Sequence, residues 1–232
     1  MTVVTRNDKS AHRADKPTKS ELTRSGLLVG AAKEFSDRDY SDVTLNDIAR
    51  RSGMTKGAVY FHFATKEEVA GAVSYIYDHR LRVLYAKVQS DYDDPHDQLH
   101  AFIIRLLRCF QFDFTFKAAV SLHAHHRQRI ASAPQPFTKL ITFLGERFIA
   151  VGSTGSDAER SAFIITSAIF GTQWVSWVRS DRSDLTERAV DLVRMLAHEP
   201  RAALLERECA WMPVAPSAES IAAEIKLANM FG

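Results

Sequence analysis

The sequence contains few cysteines and none of the patterns that indicate a metal site or a catalytic centre. Cys109 and Cys209 are its only cysteines, and their spacing is not that of a zinc site. No nucleophile elbow, pair of catalytic carboxylates, phosphate-binding glycine loop or HExxH motif is present. We therefore expect no enzymatic activity and no cofactor, and we interpret both cysteines as reduced core thiols.

Long apolar runs are also absent. We find no run that reaches the roughly eighteen residues needed for a membrane-spanning helix. The first twenty residues are largely polar, unlike a secretory signal peptide. These two absences predict a cytoplasmic protein without a membrane partner.

The sequence shows neither strand-like alternation nor an internal repeat, whereas apolar residues recur at helical spacing almost throughout. Its composition, with 46% hydrophobic and 25% charged residues over 232 residues, is ordinary for a globular protein of one or two domains. We therefore predict an all-α fold. Besides two short helices described next, the predicted helices span residues 18–38, 65–90, 95–112, 114–131, 137–151, 157–180, 184–198 and 217–230.

Residues 44–66 have the pattern of two short helices joined at a sharp corner. Thr44 is a suitable N-cap for a helix over residues 45–51, and Thr55 is a suitable N-cap for a second helix. Between them, Gly53 can end the first helix in a left-handed conformation at no steric cost. This arrangement predicts a helix-turn-helix.

The outward residues of the second helix suit the major groove of DNA. Two small residues let the backbone approach the bases, a lysine can reach phosphate or guanine, and tyrosine and histidine carry tips suited to the sugar-phosphate walls. Thr65 and Glu68 are spaced as a capping box for the next helix, where Lys66 would favour a phosphate. The predicted DNA-binding residues are Thr44, Thr55, Lys56, Gly57, Ala58, Tyr60, His62 and Lys66.

Positive charge is modestly concentrated in the same part of the chain. Residues 1–66 contain twelve Lys and Arg against eight Asp and Glu, whereas the remaining residues contain eighteen against twenty. Such an excess is expected where phosphates bind, although solvated surface charge explains it equally well. We interpret residues 1–17 as a flexible basic arm, which either follows the DNA or has no role.

The run VTLNDIARRSGMTKGAVYFHFATKEEV resembles the signature of the TetR family of one-component bacterial regulators, and LLVGAAKEFSDRDY resembles the family's first helix. The resemblance covers about the first third of the chain. It implies a three-helix DNA-binding domain over residues 18–65, and a ligand-binding and dimerisation domain of five to six helices over residues 66–232. Asp39 stands where the family usually has glycine, and we expect it to adopt the left-handed conformation of that turn.

Aromatic residues are concentrated in the second domain. Any one of them is well explained as ordinary core, but as a set they favour an apolar cavity for a small molecule. Three neighbouring histidines, His123, His125 and His126, are interpreted as a polar patch, because no carboxylate or cysteine completes a metal site. The predicted ligand-binding residues are Tyr85, Phe110, Phe114, Leu140, Phe170 and Trp174.

A narrower resemblance is carried by the Pro-Phe-Thr step at residues 136–138 and the Ile-Phe-Gly-Thr step at residues 169–172. Both resemble the γ-butyrolactone receptors of actinomycetes, which control antibiotic synthesis and morphological change. Those receptors carry a tryptophan shortly after Pro-Phe-Thr, where this chain has Leu140.

The resemblance implies a homodimeric repressor, paired through helix 157–180 and the ninth or C-terminal helices. It would release a near-palindromic double-stranded DNA operator on binding a γ-butyrolactone, butenolide or furan, and would control antibiotic biosynthesis. Alternatives are a regulator of an efflux or catabolic gene that responds to another lipophilic compound, a DNA-binding scaffold without a ligand, and a small-molecule sequestering protein with a vestigial DNA-binding domain.

Overall fold

The structure is a computed structural model that describes residues 16–125, 136–196 and 198–231, and these residues form helices without any strand, as predicted. The described helices are α1 (Lys19–Asp37), α2 (Leu45–Arg51), α3 (Lys56–His62), α4 (Lys66–Asp91), α5 (Pro95–Phe112), α6 (Phe114–His125), α7 (Pro136–Ala150), α8 (Gly155–Ser180), α9 (Leu185–Arg194), α10 (Ala202–Ala210) and α11 (Ala218–Phe231). A short 3-10 helix (Tyr40–Asp42) connects α1 to α2.

The predicted helices are present within a few residues of their expected bounds, except that the predicted end of helix 114–131 lies outside the described residues, and α10 was not predicted. Eight described helices follow the first three, rather than the five to six that the resemblance implied. The segment of α10 carries little apolar periodicity, and its buried residues are Leu204 and the acidic Glu208. A helix held in place by a buried charge leaves no apolar stripe to detect.

A first apolar core joins α1, α2, α3 and the beginning of α4. Its largest buried side chains are Leu27, Leu28, Phe35, Ile48 and Ile76. Residues of α6 and α11 complete the same core, namely Ala118, Leu122 and Ile221. The helix-turn-helix is therefore packed against helices that lie far away in sequence, and the domain boundary near residue 65 remains a prediction.

Gly30 permits the close packing of α1 against the end of α2. A Cβ on Gly30 would lie 2.8 Å from the Cβ of Ser52 and 3.0 Å from its backbone nitrogen. We expect Gly30→Ala to lower the free energy of unfolding by about 1–3 kcal/mol, because the overlap displaces backbone. Gly57→Ala, another helical glycine, is the control, since the nearest atom to its added Cβ is 3.9 Å away. Equal stability of the two variants in urea denaturation would contradict the expectation.

A second core surrounds α5, which is buried along most of its length, and is completed by α4, α6, α7, α8, α9 and α10. Within it, the Arg105 guanidinium donates to the Glu208 carboxylate at 2.6 Å and to Asp91 at 2.8 Å. These bonds join α5 to α10 and to the end of α4. Cys109 is buried as predicted, whereas Cys209 is only half-buried.

One of the described helices, α8, is long and apolar enough to cross a membrane by length and composition alone, contrary to the expectation from sequence. One such helix is weak evidence for a membrane span, and 33% of its most apolar stretch is buried inside the protein. The remaining apolar residues of α8 form an exposed stripe, which is described below.

Candidate DNA-binding surface and ligand cavities

Local hydrogen bonds form the helix-turn-helix as predicted. The backbone N–H of Asp47 donates to the Thr44 hydroxyl at 3.2 Å, and the backbone N–H of Thr44 donates to the Asp47 carboxylate at 2.9 Å. Together with a bond from the Thr44 hydroxyl, this capping box lowers the pKa of Asp47 to about 2. Gly53 ends α2 with a φ of +68°, in the left-handed region.

The N-terminal part of α3 faces outward, as predicted. Thr55 caps it by accepting the backbone N–H of Ala58 at 3.2 Å, and Val59 is buried beneath it. Lys56, Gly57 and Tyr60 are exposed, whereas Ala58 and His62 are half-buried. The Lys56 ammonium lies 5.6 Å from the centroid of the Tyr60 ring, so the two side chains form one surface. Contact of this surface with DNA remains a prediction.

Phe61 belongs to the same surface and was not predicted. It is 81% exposed, and its ring packs edge-to-face against His62 with centroids 5.0 Å apart. The sequence could have indicated this exposure, because Phe61 lies two positions after the buried Val59 and therefore on a different face of α3. A large apolar side chain held in solvent on this helix suits a thymine methyl group or a deoxyribose.

Lys66 is placed differently from what its position in sequence indicated. The Glu68 carboxylate accepts the backbone N–H of Ala64 at 2.8 Å rather than that of Thr65, so the predicted capping box is only half formed. The Lys66 ammonium donates to the Tyr40 carbonyl at 2.7 Å and lies 4.1 Å from the Tyr40 ring centroid. Burial lowers the pKa of this lysine. Its predicted phosphate contact would require the side chain to leave Tyr40.

The expected left-handed conformation of Asp39 was wrong. Asp39 has a φ of −64° and a ψ of 143°, which is extended backbone that any residue adopts. The turn is made instead by the 3-10 helix that follows, with the buried Tyr40 ring 5.6 Å from the ring of Phe35. Packing of the buried Tyr40 ring, rather than a left-handed residue, therefore holds the turn between α1 and α2.

The chain is similar to known bacterial regulators. A sequence profile for "Bacterial regulatory proteins, tetR family" matches residues 27–73, which run from α1 through the helix-turn-helix into α4. The A-factor receptor protein of Streptomyces griseus is 40% identical over 58 residues, which are 25% of this chain and 21% of the receptor. Residues 27–73 are therefore of the TetR type. The matched segments span from 21% to 58% of the curated relatives, so those similarities concern parts of them.

Solved structures extend the similarity to the second domain. A structure that concerns control of antibiotic production by bacterial hormones has a TM-score of 0.65 and 29% identity, covering 75% of this chain and 94% of that chain. The TetR-family protein CprB of Streptomyces coelicolor, in complex with its operator sequence, has a TM-score of 0.64 and 25% identity, covering 83% and 95% of the two chains.

Four of the six predicted ligand-binding residues lie in the second core of this TetR-family fold. Phe110 and Leu140 are fully buried, and Phe170 packs on Phe110 with ring centroids 5.6 Å apart. Tyr85 stacks on Phe143 at 4.1 Å. The Tyr85 hydroxyl is buried and has no hydrogen-bond partner in the part of the chain that the structure describes, and burial raises its pKa.

The other two predicted residues lie elsewhere. Phe114 packs against the first core, with the Lys33 ammonium 5.3 Å from its ring centroid. Trp174 is 46% exposed on α8 and packs on Trp177. The side chains of the three predicted patch histidines lie outside the described residues, as do residues 1–15 of the predicted arm.

The cavities on the described part of the protein include a junction cavity and a distal cavity. The junction cavity has a volume of about 270 Å³ and lies between the end of α1, α6 and α8; its lining residues are Ser36, Asp37, Arg38, Asp39, Val120, Ser121, Trp174, Trp177 and Arg182. The distal cavity, about 370 Å³, is lined by His96, His100, His198 and mainly apolar residues of α5, α7 and α8. No group of metal-binding side chains occurs among the described residues.

Proposed function

We propose that this chain is a cytoplasmic transcriptional repressor that binds a near-palindromic DNA operator as a homodimer and releases it on binding a small signalling molecule. The exposed, capped opening of α3 carries the proposal. It combines a cation, an aromatic hydroxyl and a glycine on one surface, and the operator-bound relative CprB shares the fold. Two such helices about one turn of DNA apart, roughly 34–36 Å, would enter successive major grooves.

The direct test uses DNA from upstream of the protein's own gene. Lys56→Ala and Tyr60→Ala should each weaken binding about tenfold or more, because each change removes a contact from both copies of α3. Lys87→Ala is the control, since this lysine is exposed at the far end of α4. Gel-shift titrations in which both α3 variants bind like Lys87→Ala would reject α3 as the DNA-reading helix.

The dimer surface that we propose is the apolar stripe of α8. Its members recur at helical spacing and are between 53% and 71% exposed, namely Phe163, Ile164, Val175 and Val178. No atom lies within 4 Å of a Cβ built on Gly171, in the middle of the stripe, so a partner helix can approach closely there. An apolar stripe of this length is a typical helix-packing surface between subunits.

Val175→Glu should convert the dimer to a monomer, because the two-fold axis would bring two carboxylates together in an apolar interface. Analytical ultracentrifugation measures the change. Val83→Glu is the matched control, since Val83 is 54% exposed on α4 and Val175 is 53% exposed on α8. A Val175→Glu protein that sediments as the Val83→Glu protein does would place the interface elsewhere.

The proposed effector binds in the second core. The buried hydroxyls of Tyr85 and Thr166 have no hydrogen-bond partner among the described residues, and buried polar groups without partners are rare unless a ligand or water binds them. A γ-butyrolactone, butenolide or furan offers ring oxygens for these hydroxyls and an alkyl chain for the aromatic side chains. If the effector binds more tightly to the protein with α4 in one of two positions, its binding would favour that position. The two α3 helices of the dimer would then no longer have the spacing that fits the operator. The control of antibiotic synthesis is proposed by analogy with the similar structure that concerns control of antibiotic production by bacterial hormones.

A second candidate effector is another lipophilic compound, with the chain acting as a regulator of an efflux or catabolic gene. The observation that favours it is Leu140, which is fully buried where the lactone receptors carry tryptophan. A screen of organic extracts for compounds that release the protein from its DNA distinguishes the two candidates by the chemistry of the active fraction.

A further inference from the structure

We propose that the junction cavity binds a small aromatic carboxylate, with Arg182 pairing the carboxylate and the tryptophans of α8 contacting the ring. This site is separate from the effector position in the second core. Binding of the carboxylate does not depend on the proposed function, and only its effect on operator affinity rests on that function.

Arg182 is a buried cation without a carboxylate partner among the described residues. Its side chain is 4% exposed and lines the cavity. Its one hydrogen bond is long, from Nε to the Gln173 side-chain oxygen at 3.4 Å, and its guanidinium lies 4.7 Å from the Trp177 ring centroid. The buried Arg105 is paired with two carboxylates, and the buried Arg108 donates to the Trp211 carbonyl at 2.5 Å and to the Thr186 hydroxyl at 2.7 Å, so both have shorter hydrogen bonds than Arg182 has. A guanidinium left unpaired beside a cavity is suited to accept a carboxylate ligand in a two-pronged arrangement.

Nearby charges leave this positive charge largely uncompensated. Burial and the positive charge of Arg182 both lower the pKa of Lys117, which indicates a second cation close by. On the opposite wall, the Asp37 carboxylate is engaged by Arg51 at 2.7 Å. Burial lowers the pKa of Arg182, and the charge of the neighbouring Asp181 opposes this effect only in part. An anionic ligand in the cavity would therefore find Arg182 as a buried cation on the lining whose charge is only partly compensated.

The aromatic wall determines the class of ligand. Trp174 and Trp177 have ring centroids 5.1 Å apart and planes at 82°, so they present one face and one edge to a ligand. Aromatic ligands bind such a corner by combined stacking and edge contacts. A volume of about 270 Å³ admits one ring or a fused pair rather than a long alkyl chain.

The backbone that holds Arg182 is unusual in a way that fits a binding role. Asp181 and Arg182 have φ values of 48° and 65°, two consecutive residues other than glycine in the left-handed region. Asp181 caps the end of α8 in this conformation, and Arg182, the next residue, lies on the cavity lining. Residues of this kind other than glycine tend to occur at ligand sites.

The cavity also connects the two parts of the chain. Ser36 and Asp39 come from the end of α1, which leads into the helix-turn-helix, whereas Trp174 and Arg182 come from the proposed dimer helix and the turn after it. A ligand between these walls would favour one orientation of α1 relative to α8. Occupancy should therefore change operator affinity.

The experiment compares benzoate with benzamide, which has the same shape but no charge, by saturation-transfer NMR on the full chain. Benzoate should bind at least about tenfold more tightly than benzamide, and Arg182→Gln should remove that preference. Arg179→Gln is the control, because Arg179 is exposed in the last turn of α8, three positions before Arg182. Thermal melting verifies that the Arg182 variant is folded, and Arg182→Lys should restore part of the preference. In NMR spectra of the protein, addition of benzoate should shift the indole N–H signals of Trp174 and Trp177 and leave that of Trp211 unchanged.

Equal binding of the acid and the amide, no binding of benzoate at millimolar concentration, or an unchanged preference in Arg182→Gln would each overturn the site. Operator affinity is measured in the same samples with and without benzoate. An affinity that benzoate leaves unchanged would overturn the regulatory consequence alone. If the protein does not bind DNA in the absence of benzoate, that result would count against the proposed function. The NMR measurement of benzoate binding would still test the ligand site.

Discussion

Replacing Glu208 with alanine is expected to destabilise the protein by about 3–5 kcal/mol, the usual effect of removing one partner of a buried ion pair. Glu208 is fully buried, and Arg105 is 1% exposed. Burial alone would lower the pKa of Arg105, but its bonds to Glu208 and Asp91 overcome this effect and raise it. Without Glu208, the guanidinium keeps Asp91 and loses both bonds to α10. The Tyr92 hydroxyl, which donates to the same carboxylate at 2.5 Å, also loses its partner.

Urea denaturation of three further variants separates charge from packing. Glu208→Gln keeps the shape but not the charge, and should lie between the wild type and Glu208→Ala. The double change Arg105→Met with Glu208→Leu should recover most of the lost stability, because apolar residues of similar volume replace a buried pair well. Glu206→Ala, an exposed glutamate of the same helix, is the control. A Glu208→Ala protein as stable as Glu206→Ala would show that this pair does not hold α10.

The helix-turn-helix could be predicted from sequence because its determinants are local. The caps at Thr44 and Thr55 and the left-handed Gly53 each act within four residues, so the spacing of residue types specifies them. For the same reason the start of α5, with Asp94 as its cap and Pro95 in its first turn, was predicted to the residue.

Features that depend on distant contacts could not be predicted. Lys66 binds the Tyr40 carbonyl, 26 positions away in sequence, and no local pattern indicates that partner. The pairing of Arg105 with Glu208, which holds α10, spans 103 positions. Trp174 was predicted to join Phe110 and Phe170, but the rotation of α8 turns it to the junction cavity. In each case tertiary packing selected among side-chain positions that the sequence pattern allows equally.

Gly57→Leu should abolish operator binding while leaving the fold intact. The position is exposed at the opening of α3, and an added Cβ would meet only the Thr55 hydroxyl, at 3.9 Å. Leucine is also a better helix former than glycine, by up to about 1 kcal/mol, so stability should be unchanged or slightly higher. If α3 lies in the major groove, the leucine side chain occupies the space between the helix backbone and the bases. Because the dimer inserts two copies of α3, the loss is expected to be about hundredfold or more.

Fluorescence anisotropy with labelled operator DNA measures this loss, and Gly57→Ala should show a smaller one because its methyl group is shorter. Gly71→Leu is the matched control, since no atom lies within 4 Å of a Cβ added there and the position is on α4, outside the opening of α3. If operator affinity falls from the wild type to Gly57→Ala and further to Gly57→Leu while the melting temperatures stay unchanged, the backbone of α3 approaches the DNA closely. Wild-type affinity in Gly57→Leu would instead mean that α3 does not enter the groove, and the exposed Lys56, Tyr60 and Phe61 would then require another partner.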